Sequence, residues 1–154
     1  MSMISVDVGA EESHSYAVGT TVGDVVLNVH GRKHGAVAAL VDGVERDFSH
    51  VLGSDCSVEP IDGSSEAGLY ILRHSCAHLL AQAVTELHPD ARPTIGPPIE
   101  HGFYYDFHMD PIGDEELRAI EKKMSEHVRA NHAVIREDHG NDVLREMFGG
   151  NPFK

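Results

Sequence analysis

The 154-residue chain reads as an α+β protein in two blocks. Three observations predict this class. In the first sixty residues, short apolar–polar alternations flank a single helix-period stretch. A polar, glycine-containing segment at residues 62–68 then interrupts the pattern. A long helical stretch follows, and strand-like and amphipathic segments come after it.

The first block begins with ISVDV (4–8), which alternates as a half-buried strand does. Gly9 to Glu12 supply a turn, and SHSYAV (13–18) makes the returning strand. Thr20 or Thr21 caps the helix TVGDVVLNV, with Val22, Val25, Val26 and Val29 on its buried face. AVAALV (36–41) is a continuous apolar run suited to a central strand. Asp42-Gly43 is a two-residue hairpin turn leading into VERDF (44–48), and SVEPI (57–61) adds a last strand. Two strands, a helix, then two or three strands fit a β-grasp fold, in which a mixed sheet wraps one helix.

DGSSEAG (62–68) is the predicted boundary, giving blocks at 1–62 and 69–154 joined by a linker at 63–68. A helix over 67–88 follows and stops at Pro89, with Leu69, Leu72, Cys76, Leu79, Leu80, Ala83 and Leu87 in one inward stripe. Cys76 in that stripe reads as a small buried hydrophobe. RPTIGPPI (92–99) and HGFYYDF (101–107) read as two strands around a glycine turn, so that the long helix packs on an antiparallel sheet. Residues 114–132 form an amphipathic helix with Leu117, Ile120, Met124 and Val128 inward. AVIRED (133–138) is strand-like, Asn141 caps a last helix, DVLREMF, and Gly149-Gly150 end it before NPFK.

Twelve Lys and Arg against 25 Asp and Glu leave a formal charge of −13, which disfavours nonspecific nucleic-acid binding. Any contact with RNA must be local, or be supplied by other parts of a larger protein. No apolar run approaches the ~20 residues that cross a membrane, and the N-terminus lacks a signal-peptide pattern. Cys56 and Cys76 alone make no disulfide framework, so the expected location is the reducing cytoplasm. Of the 12 histidines, His14, His30, His34, His50 and His88 stand singly and read as polar surface.

RHSCAHLL (73–80) is different, because His74 and His78 lie four residues apart on a helix and project from one face, away from the leucine stripe. Such a pair by itself is unspecific. It fits a polar surface, two ligands of a metal, or an imidazole acting as base or water holder in a cleft. A zinc site needs at least three protein donors. Cys76 points away and nothing in the spacing of His88, His101 or His108 recommends a third, so no metal is expected.

HSCAHLLAQAVTELHPDARPTIGPPIEHGFYYDF closely resembles the start of the editing domain of the threonyl-tRNA synthetases, and the closing NPFK recurs in order. The preceding block resembles the TGS domain of that family, a small β-grasp unit. The resemblance implies hydrolysis of serine wrongly attached to threonine tRNA, a correction needed because one methyl group separates the two amino acids. It places His74 and His78 in the editing cleft, with Gly96 and Tyr105 lining it. Lys154 stands near the ester, where its cation stabilises charge on the carbonyl oxygen. It also implies tRNA as partner, a homodimer, and ATP, Mg and Zn in a catalytic domain this chain does not carry, so no cofactor is expected here. The cysteine–histidine motif that completes the family's editing site is also absent, so the chain reads as a piece of the longer protein, inactive alone. The competing expectations are a noncatalytic TGS-type module that binds a ligand or RNA, and a metal-binding module built on the histidine pair.

Overall fold

A computed structural model describes residues 2–9, 13–132, 134–135 and 137–153. The chain divides into two compact units, residues 1–72 and 73–154.

The first unit is a five-stranded mixed sheet with one helix. Its elements are β1 (Met3–Val8), β2 (Ser13–Ala17), α1 (Val22–His30), β3 (Ala36–Val41), β4 (Val44–Arg46) and β5 (Cys56–Asp62). The strand order is β2-β1-β5-β3-β4. β1 runs parallel to β5, and the other neighbours are antiparallel. The alternation read in the sequence is the burial pattern observed: Ile4, Val6 and Val8 of β1 point inward and the residues between them outward. They meet Val22, Val25 and Val26 of α1, with Ala39, Leu52 and Val58, in one apolar cluster. Asp42 and Gly43 take φ of 49° and 76°, so the β3–β4 connection has both central residues left-handed, as a type I′ turn requires.

Thr21, not Thr20, caps α1. Its Oγ1 accepts a hydrogen bond from the Asp24 backbone N–H at 3.2 Å, and Asp24 Oδ2 accepts one from the Thr21 N–H at 3.3 Å. Thr21→Ala removes one side of this reciprocal pair. It is expected to destabilise the first unit by about 1 kcal/mol in urea unfolding, leaving the m-value unchanged. A Thr20→Ala variant with the larger loss would contradict the geometry.

Two single histidines are not plain surface. His34 Nδ1 accepts from the Ala36 N–H, and its ring meets Phe48 edge-on. His14 Nε2 is buried with no hydrogen-bond partner among the described residues.

The boundary between the units lies inside α2 (Glu66–Leu87), so the segment expected as a linker already contains the first turn of this helix. Ser65 opens it, its Oγ accepting from the Gly68 N–H at 3.0 Å.

In the second unit α2 is followed by β6 (Arg92–Pro93), β7 (Pro98–Ile99), β8 (Gly102–Phe103), β9 (Phe107–His108), α3 (Asp114–Ala130) and α4 (Asn141–Phe148). The two expected strands are thus four two-residue strands in two ladders, β6 with β9 and β7 with β8. They still belong to one hairpin. Thr94 N–H donates to Asp106 O, and Asp106 N–H to Ile95 O, which bridges the gap. The register slips by one residue between Pro93↔Phe107 and Pro98↔Phe103, the signature of a bulge. Prolines at 93, 97 and 98 lack the N–H that continuous ladders need.

The core here is small: Ala83, Val84, Ala91 and Ile120, with Leu80, Phe107, Met109, Ile112 and Met124 against it. Ala77 is also buried, whereas Leu69, Leu72 and Leu87 are exposed and Cys76 is only half-buried. The buried face of α2 is therefore turned by roughly 60° from the leucine stripe, at ~100° per residue. Side-chain size does not choose the face; the elements laid against it do, here α3 and the chain around 107–112. On α3, Ile120 and Met124 face inward as expected, but Leu117 and Val128 are 54% and 65% exposed. Gly140, not Asn141, caps α4. Of the strand expected at 133–138, Ala133 and Arg136 lie outside the described residues, and Val134, Ile135, Glu137 and Asp138 form no strand.

Candidate functional site

The sequence makes α2 a continuous helix through residues 74–86, with Ala77, Ala81 and Ala83 favouring it and no glycine or proline in that span. The i,i+4 spacing then brings His74 and His78 together on its exposed face. Their Nε2 atoms are 3.0 Å apart and their rings lie edge to face, with centroids at 4.6 Å. At this distance one nitrogen carries the proton and the other accepts it.

Gly96 and Tyr105 form a second pair, opposite each other where the hairpin bulges. A Cβ built on Gly96 would lie 2.1 Å from Tyr105 Cδ2, so only glycine lets the ring lie flat on the backbone there. Tyr105 also stacks on Phe107, with centroids 4.8 Å apart and planes at 25°. Lys154 lies outside the described residues.

His78 opens onto a cleft of about 900 Å³ lined also by Ser75, Leu79, Gln82, His127, Asn131 and Val134. Sequence reasoning missed its far wall. The signal was nonetheless there, because the spacing of four continues beyond the histidines. His74, His78, Gln82 and Glu86 form one polar row along α2, and Gln82 Nε2 donates to Glu86 Oε1 at 3.0 Å. From α3, Lys123 Nζ approaches Glu86 Oε2 at 2.9 Å and His127 Nε2 approaches it at 3.1 Å.

Lys123 and Gln82, hydrogen-bonded to Glu86, hold its carboxyl at about 2, well below the ordinary carboxylate value of 4.5. The same contact raises the Lys123 ammonium. A carboxyl depressed in the folded state contributes stability that is fully present above about 4.5 and is lost as pH falls towards about 2. Acid unfolding of the chain is expected to show this limb, and Glu86→Gln to flatten it. Because the carboxylate is open to solvent, added salt should shrink the effect. An unchanged acid limb in the variant would show that the α2–α3 tie does not hold in solution.

Among the described residues no group of three or more His, Cys, Asp or Glu side chains is gathered to hold a metal ion. The arrangement is instead one of paired imidazoles, a fixed carboxylate and a lysine beside an open cleft, equipped to accept and relay protons. No helix among the described residues is long and apolar enough to cross a membrane.

No family model matches the chain. It is similar to the threonine–tRNA ligase of Streptomyces griseus, 43% identical over 144 residues, which are 93% of this chain and 21% of that protein. The enzyme of Streptomyces avermitilis is 39% identical over 100% of the chain and 23% of its own length. That of Thermoplasma volcanium is 49% identical over 70% of the chain and 16% of its length. The chain thus spans about a fifth of the length of the curated relatives it matches. Identity at this level along the whole chain means that it belongs to the threonyl-tRNA synthetase family and corresponds to part of the N-terminal region of those proteins.

Proposed function

We propose that this chain serves hydrolytic editing, removing serine from threonine tRNA within a longer threonyl-tRNA synthetase. The observation that carries the proposal is the His74–His78 pair, two imidazoles 3.0 Å apart beside an open cleft, in a chain similar throughout to threonine–tRNA ligases. Residues 1–62 serve as a TGS-type β-grasp unit, in keeping with a helix on a five-stranded mixed sheet. Residues 69–154 contribute to the editing domain. His74 and His78 position the attacking water, Gly96 and Tyr105 shape the wall that receives the aminoacyl end, and Lys154 stabilises charge on the carbonyl oxygen. Affinity for tRNA comes chiefly from the rest of the longer protein, because a chain of charge −13 attracts phosphate poorly. The work is done in the cytoplasm, by a protein that pairs as a homodimer and binds its ATP and metals outside this region.

Single-turnover release of serine from preformed seryl-tRNA tests this. The full-length protein is expected to release it rapidly and the 154-residue chain slowly or not at all. A full-length protein that leaves the ester intact would end the editing assignment. Rapid release by the short chain would show that the groups described above suffice.

A further inference from the structure

His127 enters the cleft from α3 and belongs to none of the roles assigned above. Its side chain is 14% exposed, and its Nε2 lies 3.1 Å from Glu86 Oε2. Glu86 is ionised at any pH above its value of about 2, so it only accepts in this contact. The shared proton therefore sits on His127 Nε2. A neutral imidazole in that tautomer carries its lone pair on Nδ1, which has no hydrogen-bond partner among the described residues. His127 and His78 line the same cleft, with His132 as its other titratable group and Ser75, Gln82 and Asn131 as polar neighbours.

We propose that His127 is a second proton-accepting imidazole of this cleft, set in place by Glu86. A carboxylate that fixes the tautomer and orientation of an imidazole leaves the opposite nitrogen ready to take a proton. Lys123, 2.9 Å from the same carboxylate oxygen, keeps Glu86 ionised while the ring becomes charged. The His74 and His78 Nε2 atoms are engaged with each other, whereas His127 is engaged through Nε2 with Glu86.

The inference rests on the editing role proposed above. The oxygen of a water bonds to the ester carbonyl carbon as one of its protons passes to Nδ1. The ester C–O bond then breaks, and that proton moves to the departing ribose oxygen, restoring neutral His127 and releasing amino acid and tRNA.

The test is single-turnover deacylation by the full-length protein across pH, with His127→Ala, Glu86→Gln and His78→Ala compared. His127→Ala is expected to lose ~10²-fold in rate and to lose the fall in rate at low pH that protonation of the ring causes. Glu86→Gln should slow the reaction as well, since an amide can donate to Nε2 and no longer fixes the tautomer of the ring. Rates within twofold of the parent in His127→Ala, beside an impaired His78→Ala, would overturn the role of His127 and leave editing standing. A slower His127→Ala with an unmoved pH profile would overturn it too, marking the residue as structural. Loss at His127 with His78→Ala silent would uphold the inference and remove the histidine pair from the reaction. Imidazole nitrogen shifts of the intact 154-residue chain give an independent reading. A proton on Nε2 is expected, and one on Nδ1 alone would overturn the proposal.

Discussion

Replacing His74 or His78 by alanine in the full-length protein is expected to slow release of serine from seryl-tRNA by ~10²-fold or more. Aminoacylation with threonine should be largely unchanged. The reason lies in how the pair is built. Each imidazole contacts the other at 3.0 Å, so removing either ring takes from its partner the hydrogen bond that fixes which Nε2 donates and which accepts. Each single variant should therefore cost nearly as much as the double, because the two rings act as a unit. Lys154→Ala should slow the same step through loss of charge stabilisation. The check is a pair of assays on each variant, deacylation of preformed seryl-tRNA and charging with threonine. Equal loss in both would mean that the substitutions damage the fold. Single losses that multiply in the double variant would mean that the rings act independently.

Gly96→Ala should destabilise the second unit more than any surface change in it. The added Cβ would meet three atoms of the Tyr105 ring, at 2.1, 2.5 and 2.6 Å, in a hairpin whose bulge already fixes the backbone. Either the ring swings away from Phe107 or the bulge opens, at a cost of about 1–3 kcal/mol. Near-ultraviolet dichroism of tyrosine, in a chain that has no tryptophan, should report the displaced ring. The decisive comparison is a double-variant cycle with Tyr105→Ala, in which the Gly96→Ala penalty should nearly vanish. A penalty that survives loss of the ring would place its origin in the backbone instead.

The first unit was legible in the sequence nearly residue by residue, and the second only in outline. The difference is physical. In the first, each element carries its own local instruction: alternation in ISVDV, Asp42-Gly43 for the hairpin, and the Thr21 and Asp24 pair for the helix start. In the second, the buried face of α2 is decided by α3 and by Phe107, Met109 and Ile112, which a helical wheel does not contain. The small Ala77 and Ala83 are buried while Leu72 and Leu87 are not. The site divides the same way. His74 with His78 follows from local spacing, whereas Gly96 and Tyr105 were named only through the resemblance, and their close approach across one hairpin comes from the structure. Glu86 and His127 meet across 41 residues, and only the row of four-residue steps on α2 hinted at one of them.

The parallel pairing of β1 with β5 has a consequence for how the chain assembles as it is made. Val6 pairs with Cys56 and Val8 with Val58, and Asp55 reaches back to the Ser5 N–H at 2.8 Å. The β1–β2 hairpin and α1 can form from local contacts in microseconds. β1 nevertheless lacks its inner neighbour until β5 has left the ribosome, and synthesis at roughly 5–20 residues per second makes that a wait of seconds. During it, the open edge of a strand carrying Ile4, Val6 and Val8 is exposed to other nascent chains. Closing the ring of contacts then requires a long loop to come together, which puts the unit among slow, nonlocal folders. Substitutions in β5 should therefore change the yield of soluble protein more than its equilibrium stability alone implies, and slower translation through β5 should favour aggregation over release.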